Sequence, residues 1–163
     1  MTNAWPPVIE LTSADFHPDG HLFAAGNSSA VQVFDIRTTA VGATFDLHGP
    51  ASSLHFSENG FWLALSVKGD STVQIWDLRK MAHTKSLEIG TRVDSVRWDH
   101  TGQFLAAAGP SGISVQSYSK PTKSWTEPLR SAVPAVAAAW GSGANSLVSV
   151  NSEGILTVLG VKG

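Results

Sequence analysis

Four stretches of this chain repeat one pattern in phase, and that periodicity limits the possible folds more than any other feature. "ADFHPDGHLFAAG", "LHFSENGFWLALS", "VRWDHTGQFLAAA" and "AAWGSGANSLVSV" each run from an aromatic through three turn-forming residues and a Gly or Ala into an apolar strand. The aromatics Phe16, Phe56, Trp98 and Trp140 lie 40, 42 and 42 residues apart. A second landmark keeps the same phase. An alternating strand ends 18 to 20 residues after each aromatic, in "VQVFD" (Phe34), "VQIWD" (Trp76), "VQSY" (Tyr118) and "LTVL" (Leu159). Self-similarity at such a period marks an array of supersecondary units that bury their apolar faces only against one another.

Within one unit the local chemistry is legible. "SSLHF" and "WLALS" have strand length and alternate or run apolar, and "SENG" between them supplies a tight hairpin turn. "VKGDS" forms the next turn, where Gly69 accepts a positive φ and Asp70 bonds nearby backbone. "TVQIW" returns as a third strand, with Val73 and Ile75 on one face and Gln74 on the other. The fourth strand is the least marked, in "GATFDL" and "KSLEIG". Fifteen Gly and eight Pro fit the many turns such an array requires.

These units resemble the WD-repeat family, whose period and blade pattern they share across roughly residues 13–160. The resemblance implies an all-β fold, a WD40 β-propeller with four blades here, at about 13–50, 51–92, 93–133 and 134–160. In that family a His before the first strand, a Ser or Thr in the second, the turn Asp and the Trp form a hydrogen-bonded set. Carried over, the set is His48, Ser66, Asp70 and Trp76. Elsewhere Phe34, Tyr118 and Leu159 replace the Trp and no His precedes Val136, so those blades should depend more on packing. "LTSADFHPDGHLF", "FSENGFWLA", "VQIWDLRK" and the "FLA" after "DHTGQ" are similar to a splicing branch of the family, the propellers of spliceosome-associated U-box ubiquitin ligases.

The boundaries shape a further expectation. Residues 1–12 read as a lead-in, because the prolines of "WPPVIE" cannot donate ladder bonds. The last unit ends after a third strand, leaving an edge that family propellers close with a strand from elsewhere in the ring. The chain is therefore expected to be the C-terminal part of a seven-bladed ring, rather than a closed ring of four.

Composition narrows the function classes. Net charge is −2 from 11 basic and 13 acidic residues, with no basic block to follow a phosphate backbone, so no direct nucleic-acid binding is expected. No cysteine is present, which excludes disulfides and thiolate metal sites. The longest apolar window, "AVPAVAAAW", is far short of a membrane span. The start "MTNAWPPVIEL" lacks the pattern of a signal peptide, so the "NSS" at Asn27 reads as a polar turn.

No catalytic, metal or cofactor constellation emerges. His17 and His21 flank a turn where helical ligand geometry is unavailable. Asp70 and Asp77 belong to a turn and a strand end. Ser66 near His48 and Asp70 superficially resembles a triad, but the structural set accounts for them. "GSGANS" lacks the third Gly and following helix of a phosphate loop. Function is then expected in loops on a rigid scaffold. Asn27, His48, Lys68, Arg92, Ser111 and Asn151 fall in loops assigned to one face, as candidates for partner binding. Trp62 and Trp125 are candidate exposed anchors, with packing between blades as the alternative.

Three functions remain. The resemblance favours a nuclear protein-interaction scaffold, binding spliceosome-activating complex subunits and ubiquitylation substrates for a ligase that oligomerises through regions outside this chain. The second is a WD-repeat adaptor of an unrelated complex, and the third a propeller enzyme.

Overall fold

A computed structural model describes residues 10–160. Of the lead-in expected over residues 1–12, the first nine lie outside the described residues. The described residues form four antiparallel sheets and no α-helix, with one short 3-10 turn at Ser142–Ala144.

The first blade contains β1 (Ser13–Phe16), β2 (Leu22–Gly26), β3 (Ala30–Asp35) and β4 (Ala40–Asp46), paired in that order. The second repeats it with β5 (Ala51–Phe56), β6 (Trp62–Val67), β7 (Thr72–Asp77) and β8 (Ala82–Glu88). In the third, β9 (Ser95–Trp98), β10 (Phe104–Gly109) and β11 (Gly112–Ser119) are regular. Its outer strand is split into β12 (Ser124–Trp125) and β13 (Leu129–Ser131), both pairing with β11. The interruption falls at Thr126–Glu127–Pro128, where proline has no N–H for the ladder. The fourth blade has β14 (Ala137–Trp140), β15 (Ser146–Val150) and β16 (Leu156–Gly160) among the described residues.

The hairpin turns show why the repeat begins as it does. Gly20, Gly60 and Gly102 close the β1–β2, β5–β6 and β9–β10 turns with φ of +72°, +71° and +66°. A side chain is strained there, and at Gly60 a Cβ would also lie 2.7 Å from the His17 ring. In the fourth blade the corresponding residue is Ala144, which adopts φ +55° without glycine's freedom.

Alternation along the strands sends successive side chains to opposite neighbours. Leu54, Phe56, Leu63 and Leu65 face the first blade and pack with Ala24, Val31, Val33 and Phe45. Ala64, Val73 and Ile75 face the third and meet Val96, Trp98, Leu105 and Ala107. Ala106, Ala108 and Ile113 pack in turn against Ala135, Ala138 and Leu147. The core is thus a series of layers between blades, with no single centre.

In this arrangement the repeated aromatics are not buried alike. Phe56 and Trp98 are buried, but Phe16 is 58% exposed. Each aromatic packs toward the preceding blade, and Phe16 belongs to the first one described. Phe16→Ser is accordingly expected to change stability by no more than about 1 kcal/mol, against several for Phe56→Ser. Urea denaturation of the two variants compares them directly.

Polar clasps join the innermost strands. The Phe56 amide donates to Asp15 Oδ2 at 2.9 Å, and one blade on the Trp98 amide donates to His55 Nδ1 at 3.0 Å. The Val96 amide donates to Ser53 Oγ at 3.1 Å. At the third junction the equivalent of Asp15 and His55 is Arg97, whose guanidinium can only donate, here to the Val96 carbonyl at 2.9 Å. There the roles of backbone and side chain are exchanged, and Trp140 Nε1 donates to the Arg97 carbonyl at 2.9 Å.

Candidate interaction surface

The antiparallel order brings two sets of loops to opposite ends of the sheets. The β2–β3, β6–β7, β10–β11 and β15–β16 turns share one end with the β4–β5, β8–β9 and β13–β14 connections. Asn27, His48, Lys68, Arg92, Ser111 and Asn151 all lie on these segments. Their local roles differ. Asn27 Oδ1 accepts from the Ser29 and Ala30 amides, and Asn151 Oδ1 from the Glu153 and Ile155 amides, so both side chains shape their own turns. Arg92 is exposed and donates to Asp94 Oδ2 at 2.8 Å. Lys68 and Ser111 are exposed.

The four residues assigned to the hydrogen-bonded set are only partly connected. His48 Nε2 lies 2.7 Å from Asp70 Oδ2, in a pair whose side chains are 62% and 31% exposed. Ser66 is fully buried, and its hydroxyl bonds Ser52 Oγ at 2.7 Å rather than the imidazole. Ser52 Oγ in turn donates to the Val93 carbonyl at 3.1 Å, across to the third blade. Trp76 Nε1 donates to Gln74 Oε1 at 3.2 Å, and its ring stacks on Phe45 with centroids 4.3 Å apart. The triad-like grouping of Ser66, His48 and Asp70 is therefore not assembled, because the serine has another partner. An ion pair as solvated as His48–Asp70 contributes at most about 1 kcal/mol.

Sequence reasoning passed over the role of the Asp in the Trp-Asp pair. Asp77 Oδ1 accepts from the Arg79 backbone amide at 2.9 Å, and the Arg79 guanidinium closes on both carboxylate oxygens. The side-chain bond from Arg79 holds the Asp77 carboxyl below its ordinary range, against the opposing effect of burial. Asp35 and Arg37 repeat the arrangement one blade earlier. The signal was present in the sequence as "FDIR" and "WDLR": an Asp closing a strand with an Arg two residues later.

Trp62 and Trp125 prove to be neighbours, although 63 positions separate them in the sequence. Both are half-buried and their ring centroids lie 6.2 Å apart. Trp98 lies 5.7 Å from each, and Tyr118 meets Trp62 edge-on at 4.6 Å. This aromatic cluster joins the second and third blades at the end opposite the loop residues above.

Comparison with known proteins places this geometry. The profile described as "WD domain, G-beta repeat" matches residues 7–35 and 40–77. Pre-mRNA-processing factor 19 homolog 2 of Arabidopsis thaliana is 40% identical over 62 residues, 37% of this chain and 12% of that protein. Pre-mRNA-processing factor 19 of Oryza sativa subsp. japonica is 43% identical over 58 residues, 34% of this chain and 11% of its own length. The matches thus span about an eighth of the curated relatives' length. Among solved structures, a chain of a mitotic checkpoint complex superposes with a TM-score of 0.82 at 18% identity, over 94% of this chain and 51% of that one. Hydrazine synthase of Kuenenia stuttgartiensis gives 0.78 at 14% identity, over 98% of this chain and 48% of that one. At such identities the superpositions establish the fold alone, a β-propeller of which four blades are present. WD40 repeats are thus matched over residues 7–35 and 40–77 of a propeller-fold chain that resembles pre-mRNA-processing factor 19 over about a third of its length.

Proposed function

We propose that this chain is the partner-binding propeller region of a nuclear scaffold in pre-mRNA splicing, within a U-box ubiquitin ligase. The observation that carries the reading is the 36–43% identity to pre-mRNA-processing factor 19 from three organisms. The fold adds a physical reason, since layered blades hold loops of unrelated sequence rigidly at one end for protein docking. On this reading the loops carrying Lys68, Arg92 and Ser111 meet spliceosome-activating complex subunits and ubiquitylation substrates. Conjugating-enzyme recruitment and oligomerisation belong to other regions of such a ligase.

Affinity capture from nuclear extract, followed by mass spectrometry, tests the reading. The wild-type chain is expected to retain splicing subunits, and Lys68→Glu with Arg92→Glu to release them while melting as wild type does. Both residues are exposed, so a charge reversal there leaves the core intact. Retention of an unrelated set of proteins would favour the adaptor of another complex. Ubiquitin transfer by the purified chain, given only activating and conjugating enzymes, would overturn the assignment of ligase chemistry elsewhere.

A further inference from the structure

At the end opposite those loops, a cavity of about 430 Å³ opens between the second and third blades. Its apolar lining is Trp62, Ile75, Tyr118 and Trp125, and its charged lining is Asp77, Arg79, Lys80, Lys85 and Lys123. Each set draws on both walls of the cavity: β6, β7 and β8 with their turns on one side, β11, β12 and the turn between them on the other. We propose that this cavity is a second docking site, which takes an acidic peptide segment with an apolar or aromatic side chain at its centre.

The charge around the cavity is unbalanced. Asp77 is nine-tenths or more buried and already held by both branches of Arg79, so that pair is neutral overall. Arg79 is further committed to the Phe61 ring, 4.4 Å from its centroid. Lys80, Lys85 and Lys123 are left, all exposed, and none has a carboxylate within ion-pair distance among the described residues. Three uncompensated ammonium groups around one cavity, on a chain whose net charge is −2, are complementary to carboxylates.

The floor of the cavity is held by ring-to-ring packing. Trp62 is stacked on the buried Trp98 and met edge-on by Tyr118, while Trp125 packs against Trp98 and Tyr118. Each ring is fixed by another, so the cavity is preformed and an entering side chain orders little in the protein. Half-buried tryptophans fixed in this way have the character of binding hot spots.

Shape decides between a peptide and a nucleic acid. A single-stranded nucleic acid needs a basic track several nucleotides long and open ring faces for its bases. Here the lysines surround one discrete cavity, and the rings are largely engaged with one another. A volume of this size accommodates one or two side chains. The site extends the scaffold reading to a peptide ligand of stated chemistry, on a surface that the loop variants leave untouched.

The test is fluorescence anisotropy on the whole chain with fluorescein-labelled Asp-Glu-Leu-Phe-Glu-Asp. The control probes are Lys-Lys-Leu-Phe-Lys-Lys and a fifteen-nucleotide oligouridine. The acidic peptide is expected to bind and to quench tryptophan fluorescence. Lys85→Glu with Lys123→Glu should weaken it at least about tenfold, as loss of charge complementarity does. Raising the salt from 50 to 200 mM should also weaken it. Both lysines are exposed, so unchanged melting of the double variant keeps the result free of folding effects. Arg92→Glu should bind the peptide as wild type does, which separates this site from the loop face. No binding, undiminished binding by the double variant, equal binding of the basic peptide, or tight competition by oligouridine would each overturn the proposal.

Discussion

Trp98→Ala is expected to destabilise the chain by about 3–5 kcal/mol, the usual range for truncating a buried aromatic. Trp98 is 3% exposed and sits where the second and third blades meet, in a layer with Val73, Ile75, Val96 and Leu105. Its ring supports both Trp62 and Trp125, so its removal opens a cavity beneath two further aromatics. Stability in this fold comes from layers between blades, and relaxation of the gap would require two sheets to approach. For a chain of this length the loss corresponds to a fall in melting temperature of roughly 6–20 °C. Differential scanning calorimetry measures it. Trp125→Ala provides the contrast: its ring is half-exposed, and its removal should lower the melting temperature less than that of Trp98.

The second large effect belongs to the clasps between inner strands. Asp15→Ala and His55→Ala each leave a backbone N–H, of Phe56 and of Trp98, without its acceptor. A buried donor stranded in this way costs about 1–3 kcal/mol. His55 adds a dependence on pH. Because Nδ1 accepts the Trp98 amide, the ring must be neutral with its proton on Nε2. Burial pushes its pKa below the ordinary histidine value; the nearby Asp15 charge opposes that shift and Arg97 reinforces it. A histidine whose folded pKa lies below its unfolded value binds more protons when unfolded. Its contribution is therefore complete above about pH 6.5 and declines as the pH falls toward the folded pKa. The melting temperature of the wild type is expected to drop between pH 7.5 and 5.5. His55→Asn, which retains an acceptor without a titrating ring, should flatten that part of the curve. An identical slope in the two proteins would show that His55 does not carry the effect.

Much of the architecture could be read from short stretches, because its determinants are local. A turn such as "SENG" requires a residue that tolerates positive φ at its fourth position, and "TVQIW" alternates because one face is covered. Four in-phase copies then identify the blades. The same local logic extends to Asp77 and Arg79, two residues apart on one turn. It failed for Phe16, whose sequence context equals that of Phe56. Burial of that position depends on a preceding blade, which is not a property of the strand itself. The set of His48, Ser66, Asp70 and Trp76 was legible as four residue types at plausible spacing. Which partner each takes depends on side chains from neighbouring strands, and Ser52 and Gln74 compete successfully for two of them.

The period, the strand alternation, the turns and hence the propeller follow from backbone preferences and apolar spacing within about ten residues. Packing between sheets, by contrast, makes Asp15 and His55 equivalent acceptors at successive junctions, a role Arg97 cannot take. The same packing brings Trp62, Tyr118 and Trp125 onto one floor and sets Lys80, Lys85 and Lys123 around the same cavity. These are relations between blades some forty residues apart. They are fixed by how one sheet twists and packs against the next, and no local pattern along the chain encodes that distance.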